Sequence, residues 1–307
     1  MSVSALFTPK FKAYFQRTWI LYMMIIPTLV LLAIFAYYPM YGTVIAFQKF
    51  NPGLGFFRSP WVGLANFERI FDSPTFPRVI GNTMIIAISQ MVVGQVSAVL
   101  LALSLNEIRI VWFKRFMQNL LYMPHFLSWV VLGGILMEIL SPFGLVGKAQ
   151  TAMGLEPIIF LGSNDWFRPT LVLTNLWKEV GWGTIIYLAA LMGIDPELYE
   201  AAAIDGANRF QRMRHISIPS ILTTIILIAS LNLGNVLQAN FEQVFMLYNP
   251  TVYQTGDIID TYVYRMGLIQ AEFGISAAAG LFKSVIGFLL IIVSYKLADK
   301  YAGYKIF

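Results

Sequence analysis

Long apolar runs alternate with short polar segments along the whole chain. Four runs contain no Asp, Glu, Lys or Arg, and they cover residues 18–48, 79–106, 116–137 and 216–241. Two further runs, 169–192 and 274–295, carry charged residues inside them. A membrane-spanning helix needs about 20 mostly apolar residues. The pattern therefore predicts an all-α membrane protein with six transmembrane helices.

Composition agrees with this class and excludes a soluble domain. Hydrophobic residues make up 58% of the 307 residues and charged residues 12%, whereas soluble domains carry about 25% charged residues. The chain has no Cys, which excludes disulfides and thiolate metal sites. No cluster of residues with metal-ligand spacing is visible, so no metal is expected.

Most of the basic residues lie on one side of the predicted membrane. An even number of spans puts both termini on the same side, and that side also holds Arg109, Lys114, Arg115 and the basic residues of the 195–219 loop. The positive-inside rule therefore predicts cytoplasmic termini and a cytoplasmic 195–219 loop. This bias, together with affinity for anionic membrane lipid, accounts for the net charge of +5, and nucleic acid is not expected as a partner.

One extracellular segment has helical periodicity. Between residues 49 and 78, the apolar residues Leu64, Phe67, Ile70 and Phe71 recur at the spacing of a helix. A short helix on the outer membrane surface is predicted there. No fixed-period repeat is visible along the chain.

The 195–219 loop carries the strongest local signals. Asp195 is a helix N-cap, Pro196 suits the first helical position, and Glu197 faces the positive end of the helix dipole. Gly206 is suited to the left-handed backbone conformation that often follows the last turn of a helix. The sequence predicts a short helix that ends at Gly206, a basic helix over residues 207–215, and a next span that begins at Pro219.

Spacing alone leaves two interpretations of this loop, an amphipathic connector on the inner membrane surface or a docking element for a cytoplasmic partner. The sequence Glu200-Ala201-Ala202, with Gly206 three residues after Ala203, and the later Ile216-x-Ile218-Pro219 resemble the EAA loop of permease subunits of ATP-binding-cassette (ABC) importers. Ile218 departs conservatively from the usual Leu. Segments outside the loop resemble the carbohydrate-uptake, polysaccharide-type branch of these permeases: residues 190–199, 122–126, 177–183, 241–250 and 260–265.

The resemblance implies the fold of type I importer permeases and a division of labour. The ATP and Mg would bind a cytoplasmic ATPase dimer, a second, homologous permease would complete the path, and an extracellular solute-binding protein would deliver an oligosaccharide. No GxxxxGK[ST] motif occurs here, so this chain is not expected to be an enzyme or to bind a cofactor. The residues expected to couple to the ATPase are Glu200, Ala201, Ala202, Asp205, Gly206 and Ala207.

Polar residues inside predicted spans suggest where a substrate would pass. They are costly in hydrocarbon and often line a pathway, and aromatic faces with amides suit sugars. The alternative is that these amides bond neighbouring helices. The predicted pathway residues are Trp177, Glu179, Trp182, Tyr187, Asn232, Asn235 and Gln238.

The interpretation divides the chain into an N-terminal region with the first span (1–77), a transport core (78–296) and a cytoplasmic tail (297–307). It places the protein in a bacterial plasma membrane as a multi-pass protein. Lys283 needs a partner inside the membrane, and Glu179 or Glu138 is expected. Its charge, with Lys178 and Glu179, keeps an ion-coupled secondary transporter open as the alternative function. A membrane-embedded enzyme is a third class, but the sequence shows no recognisable catalytic motif.

Overall fold

The structure is a computed structural model that describes residues 9–234, 236–237 and 240–302, with side chains described from residue 17 to residue 300 within those ranges. The described part is helical apart from one isolated bridge between Gln48 and Trp61. Its α-helices in chain order are α1 (Pro9–Leu32), α2 (Tyr38–Met40), α3 (Gly55–Arg58), α4 (Ala65–Asp72), α5 (Thr75–Asn106), α6 (Val111–Tyr122), α7 (Trp129–Ile139), α8 (Leu145–Ala152), α9 (Asn164–Met192), α10 (Pro196–Ile204), α11 (Arg209–Arg212), α12 (Ile218–Gly234), α13 (Phe241–Leu247), α14 (Tyr253–Gly256), α15 (Ile259–Tyr264) and α16 (Phe273–Ala302). Turns of 3-10 helix cover Tyr41–Phe47, Met123–Phe126 and Pro250–Val252, and π-helical turns cover Ala33–Tyr37, Met213–Ser217 and Arg265–Ile269.

Four stretches of the described chain are long and apolar enough to cross a membrane. They are Arg17–Phe47, Thr75–Asn106, Arg209–Gly234 and Phe273–Lys300, and a bent pair, α6 with α7, would make a fifth. The helix α9 has 29 residues but does not belong to this set, because Lys178 and Glu179 interrupt its apolar sequence. Five of the six predicted spans thus coincide with long helices, while length and apolarity by themselves support four of the six, or five if the bent pair is one span.

The predicted span at 116–137 is not one straight helix. The axes of the two segments on either side of the break, Val111–Phe126 and α7, meet at 101°. The break begins where Pro124 enters a 3-10 turn, and Leu127 is extended (φ −82°, ψ 134°). Ser128 then starts α7 by accepting a hydrogen bond from the Val131 amide at 3.3 Å. Proline restricts the residue before it and cannot donate a helical hydrogen bond, which explains why the helix ends here.

The core is built around two helix pairs, α5 against α9 and α12 against α16. One buried cluster joins α5, α7 and α9 to the chain after α12, and includes Ile86, Leu132 and Phe167. A second lies around Phe76 and the first turns of α16, and a third around Tyr187. The close approach of α6 to α9 requires Gly181, because a side chain there would collide with the Leu121 carbonyl.

Hydrophobic side chains cover much of the outside of the molecule. The first span, Arg17–Phe47, buries none of the residues in its most apolar window, and Met24, Phe35 and Tyr38 are largely exposed. An apolar exterior of this extent is what hydrocarbon surroundings permit and water does not. The short helix predicted between residues 49 and 78 is confirmed as α4, with Ile70 buried in the second cluster.

Candidate coupling loop and transport pathway

The start and end of α10 are as the sequence predicts. Asp195 is the N-cap, and its Oδ1 accepts a hydrogen bond from the Glu197 amide at 3.0 Å, with Pro196 at the first helical position. Gly206 has φ +80°, the left-handed conformation that favours glycine after a helix. The Ala207 amide reaches back to the Ala202 carbonyl at 2.9 Å and closes the turn. The nine residues of α10 therefore form a defined rod, about 14 Å long.

The predicted coupling residues lie on this rod and just after it. Glu200 and Ala201 are exposed, as are Asp205 and Gly206, while Ala202 and Ala207 are half-buried. Four of the six line a concave surface of about 330 Å³ between α10 and the following helix: Ala202, Asp205, Gly206 and Ala207, together with Gln211, Arg212, His215 and Ile216. No side chain is buried in α10, and most of its side chains are exposed and accessible to a partner.

The second half of the 195–219 loop differs from the prediction in its bounds. The basic helix begins at Arg209 rather than residue 207, because Asn208 caps it and exchanges hydrogen bonds with Gln211 in a capping box. It then continues through the π-helical turn Met213–Ser217 into α12 without a break. Pro219 therefore lies inside a continuous helix, just after the π-helical turn, where it donates no amide hydrogen bond to the helix. The next span therefore starts about ten residues before Pro219, as one helix from Arg209 to Gly234.

Four of the seven predicted pathway residues line one cavity of about 440 Å³ between α5, α9 and α12: Glu179, Trp182, Tyr187 and Asn232. We call it the amide cavity, because its wall also contains Gln90, Gln95, Asn175 and Asn240. Tyr187 is 2% exposed, and its hydroxyl has no hydrogen-bond partner at bonding geometry among the described atoms, although the Gln95 side chain is its polar neighbour. Trp177 does not line this cavity and is 50% exposed on α9. Asn235 and Gln238 lie outside the described residues.

Glu179 belongs to a compact polar cluster where α9 meets the break between α6 and α7. Its carboxylate lies 2.7 Å from His125 Nδ1 and 2.9 Å from Lys178 Nζ. Lys178 also donates to the His125 carbonyl at 2.9 Å and lies over the ring of Trp129. These contacts satisfy the charge of Lys178, whose side chain is only 8% exposed, and they hold the broken span against α9.

A chain of amides connects three helices at the other side of the amide cavity. Gln90 donates to Gln243 Oε1 at 2.9 Å, and Gln243 donates to the Leu171 carbonyl and to Thr174 Oγ1. Asn240 donates to Asn175 at 2.7 Å and to Gln90 at 3.2 Å. Gln90, Gln95 and Asn175 are not among the pathway residues predicted from the sequence. Their position inside apolar runs was the available signal.

A second, larger cavity of about 1110 Å³ lies between α12, α13, α15 and α16. We call it the charged cavity, because Glu242, Asp260 and Lys283 line it. Lys283 Nζ binds both oxygens of Asp260, at 2.6 and 2.8 Å. The expected partners of Lys283, Glu179 and Glu138, are therefore wrong. Asp260 was not considered because it precedes the predicted last span, and only folding brings α15 beside α16.

An ion pair also holds the segment that precedes α16. Arg265 donates to both oxygens of Asp257, at 3.0 and 2.5 Å, and Asp257 is 2% exposed on its side chain. Burial alone would lower the pKa of the Arg265 guanidinium, but its hydrogen bonds to Asp257 and the charge of that carboxylate raise the pKa above its ordinary value. The bidentate, charge-assisted pair acts as a fixed clamp on this segment. Among the described residues, no group of three or more His, Asp or Glu side chains could hold a metal ion.

Comparison with known proteins places this geometry in one family. Residues 94–302 match the family described as "Binding-protein-dependent transport system inner membrane component". The chain is 43% identical over 282 residues to the polygalacturonan/rhamnogalacturonan transport system permease protein YteP of Bacillus subtilis, covering 92% of this chain and 88% of that protein. It is equally similar to protein LplB of the same organism, covering 92% of this chain and 89% of that protein.

A solved structure shares the fold. It is a crystal structure of a bacterial ABC transporter involved in the import of the acidic polysaccharide alginate, with a TM-score of 0.88, 36% identity, and coverage of 95% of this chain and 99% of that one. A related crystal structure shows a bacterial alginate ABC transporter in complex with a periplasmic protein that holds an alginate pentasaccharide, with the same TM-score and identity, and it covers 96% of this chain and 99% of that one.

The chain therefore belongs to the family of inner membrane components of binding-protein-dependent transport systems. It is an all-α permease with the type I ABC importer fold, located in the bacterial cell membrane, and a transport component rather than a catalytic enzyme.

Proposed function

We propose that this chain is the permease subunit of an ATP-driven importer that carries an oligosaccharide, derived from a polysaccharide, into the cell. The observation that carries the proposal is the combination of an accessible α10 with an amide cavity lined by α9 and α12, the two long helices that α10 connects along the chain. The relatives support the substrate class, because their names refer to polygalacturonan, rhamnogalacturonan and alginate. ATP hydrolysis, with its Mg, takes place on a separate cytoplasmic ATPase dimer.

The topology has six spans with both termini in the cytoplasm. They are the first span, α5, the bent pair α6–α7, α9, the helix from Arg209 to Gly234, and α16. Four of these spans are long apolar helices, and counting the bent pair α6–α7 as one span raises the number to five. The remaining span is α9, which is long enough to cross the membrane and packs along α5. The core of the transporter covers residues 78–296, preceded by a region of residues 1–77 and followed by a tail of residues 297–307.

The 195–219 loop is the docking element for the ATPase. Glu200 is exposed and pairs with a basic group of the ATPase, while Ala201, Ala202, Asp205, Gly206 and Ala207 fit its groove. The small side chains and the concave surface beside them support this arrangement. A helix that buries no side chain within its own chain gains stability by docking to another protein.

The amide cavity is the part of the substrate pathway that this chain supplies. Trp182 offers an aromatic face, and Glu179 and Asn232 offer hydrogen-bond groups of the kind that bind sugar hydroxyls. Tyr187 adds a buried hydroxyl without a partner among the described atoms, which is a place for water or a sugar hydroxyl. Trp177, Asn235 and Gln238 remain predictions for which this cavity gives no support.

The assembly needs two further partners. A second, homologous permease provides the other half of the pathway, and the exposed first span offers surface for it and for membrane lipid. An extracellular solute-binding protein delivers the oligosaccharide, which is supported by the relative whose crystal structure contains such a protein.

Uptake by cells tests the function directly. Cells that express the complete transporter should accumulate labelled oligogalacturonates, or labelled neutral arabino-oligosaccharides, in a way that requires this chain. Depleting ATP should stop uptake, whereas collapsing the proton and sodium gradients should leave the rate of uptake unchanged. The ion pair between Lys283 and Asp260 is the observation that favours an ion-coupled transporter instead. Uptake that follows the gradients and ignores ATP would support that alternative and refute the ATP-driven one.

A further inference from the structure

The helix α10 is held to the rest of the chain at few points. None of its side chains is buried, and only Tyr199 and Ala202 are half-buried. Of the side-chain hydrogen bonds among the described residues, one connects α10 to the helix that leads into α12. The Tyr199 hydroxyl lies 2.9 Å from Ser217 Oγ. Ser217 is 3% exposed, at the end of the π-helical turn where α12 begins.

The other side-chain tie of the 195–219 loop is weaker. Arg209 Nε lies 4.0 Å from Glu107 Oε2, and the two side chains are 64% and 37% exposed. Ion pairs of this length and exposure are screened by water and salt, so they contribute little to holding the loop in place. A short hydrogen bond to a buried hydroxyl is directional and protected from competing water. The position of α10 relative to α12 therefore depends mainly on Tyr199.

The far end of α12 reaches the amide cavity. The helix has 17 residues and is therefore about 25 Å long, and Asn232 near its end lines that cavity. It also packs along α16, where a side chain at Gly234 would touch Ile291 and Ser294. A displacement at Ser217 is thus carried along a continuous helix to the cavity wall.

We propose that Tyr199 is a positioning residue for transport, and that its hydrogen bond to Ser217 transmits movement of α10 to α12. This rests on the proposed function, in which an ATPase moves α10. The ring of Tyr199 packs α10 against the rest of the chain, and the hydroxyl of Tyr199 fixes the position of α10 relative to the start of α12. Without the hydroxyl, α10 still docks on the ATPase but moves without carrying α12 with it.

The experiment compares Tyr199→Phe, Ser217→Ala and the double variant in the purified complete complex in liposomes. The measured quantity is the number of oligosaccharides imported per ATP hydrolysed. Each single variant should lower this ratio about fivefold, the double variant should be no worse than either, and ATPase co-purification should be unchanged. Ser104→Ala, which removes a hydroxyl that donates to the Leu100 carbonyl of its own helix α5, should leave the ratio unchanged.

A normal ratio in Tyr199→Phe would overturn the proposal, and so would effects of the two single variants that multiply in the double variant. Loss of ATPase co-purification in Tyr199→Phe would overturn it too, because the residue would then serve docking. Failure of the proposed function looks different. In that case the wild-type complex would contain no ATPase, or its transport would not depend on ATP.

Discussion

His125 stacks face to face on Trp182, with ring centroids 4.5 Å apart and planes only 2° from parallel. The contact joins the break between α6 and α7 to α9. On its other edge, His125 reaches Glu179, and both Trp182 and Glu179 line the amide cavity. One histidine thus fixes two of the side chains that we propose to contact the sugar. A pre-positioned aromatic ring and carboxylate lose little freedom when a substrate arrives.

Replacing Trp182 by alanine should weaken substrate handling more than folding. The stacking surface would be lost, and we expect KM for oligosaccharide uptake to rise about tenfold, equivalent to about 1.4 kcal/mol. Uptake kinetics at several substrate concentrations measure this. Trp177→Ala is the matched control, since Trp177 is exposed on the same helix but does not line the cavity. Equal effects of the two substitutions would contradict the assignment.

Two substitutions at Gly206 separate backbone conformation from docking. Gly206→Val places a β-branched residue at φ +80°, at a cost of about 1–2 kcal/mol, and should deform the loop. Gly206→Asn tolerates this conformation, and a Cβ there meets nothing within 4 Å inside the chain. We expect both variants to lose ATPase co-purification, because the added side chain projects into the partner groove. If the Gly206→Asn variant co-purifies with the ATPase as fully as the wild type does, Gly206 is required only for the left-handed backbone conformation and not for docking.

The ion pair of Lys283 with Asp260 should behave as a structural pair. Lys283→Met leaves the Asp260 carboxylate without its partner in the membrane, and should lower the stability of the solubilised protein by about 1–3 kcal/mol. The double variant Lys283→Met/Asp260→Asn should recover much of this loss. Thermal unfolding in detergent measures the stability. The double variant should also keep ATP-driven uptake, and selective loss of uptake in a stable double variant would indicate a transport role for the pair.

The amides of the pathway fall into two groups that substitution can distinguish. Gln243 is fully buried and bonds Gln90, Leu171 and Thr174, so Gln243→Leu should cost about 1–2 kcal/mol of stability. Asn232 is exposed to the amide cavity, and its side-chain hydrogen bond to Gln95 Oε1 is long, at 3.3 Å. Asn232→Leu should therefore mainly raise KM, with little change in the unfolding temperature. If Gln243→Leu raised KM and Asn232→Leu lowered the stability instead, the helix-bonding and pathway roles of the two residues would be exchanged.

Local signals in the sequence located the loop because they depend on neighbouring residues. The Asp195 cap, Pro196 and Gly206 act within one or two turns, and the structure has α10 between them. The same logic failed for the start of the next span, where the capping box of Asn208 with Gln211 outweighed the signal of Pro219. The bend at residues 126–129 was also missed, since the apolar pattern is the same for a straight and a broken helix.

The partners of charged and polar residues depended on tertiary contacts. Lys283 was expected to find Glu179 or Glu138, but Glu179 is occupied by Lys178 and His125, and Asp260 approaches from a helix that the apolar pattern did not reveal. Gln90 and Asn175 became pathway candidates only when α5 and α9 packed together. Trp177 and Trp182 are the same residue type in the same apolar run, so the sequence pattern does not distinguish them. Because they are five residues apart on α9, their rings lie on different sides of the helix.

Composition and local pattern were sufficient to predict the class of protein, most of the long helices and the caps of α10, because burial in lipid and helix capping depend on composition and on short-range order. Which polar residues meet was visible only after the helices had packed. The amide cavity, the His125–Trp182 stack and the Tyr199–Ser217 tie each join side chains distant in sequence or separated by a turn, and their distances follow from helix packing. Packing depends on shape across the whole chain, which no local pattern encodes.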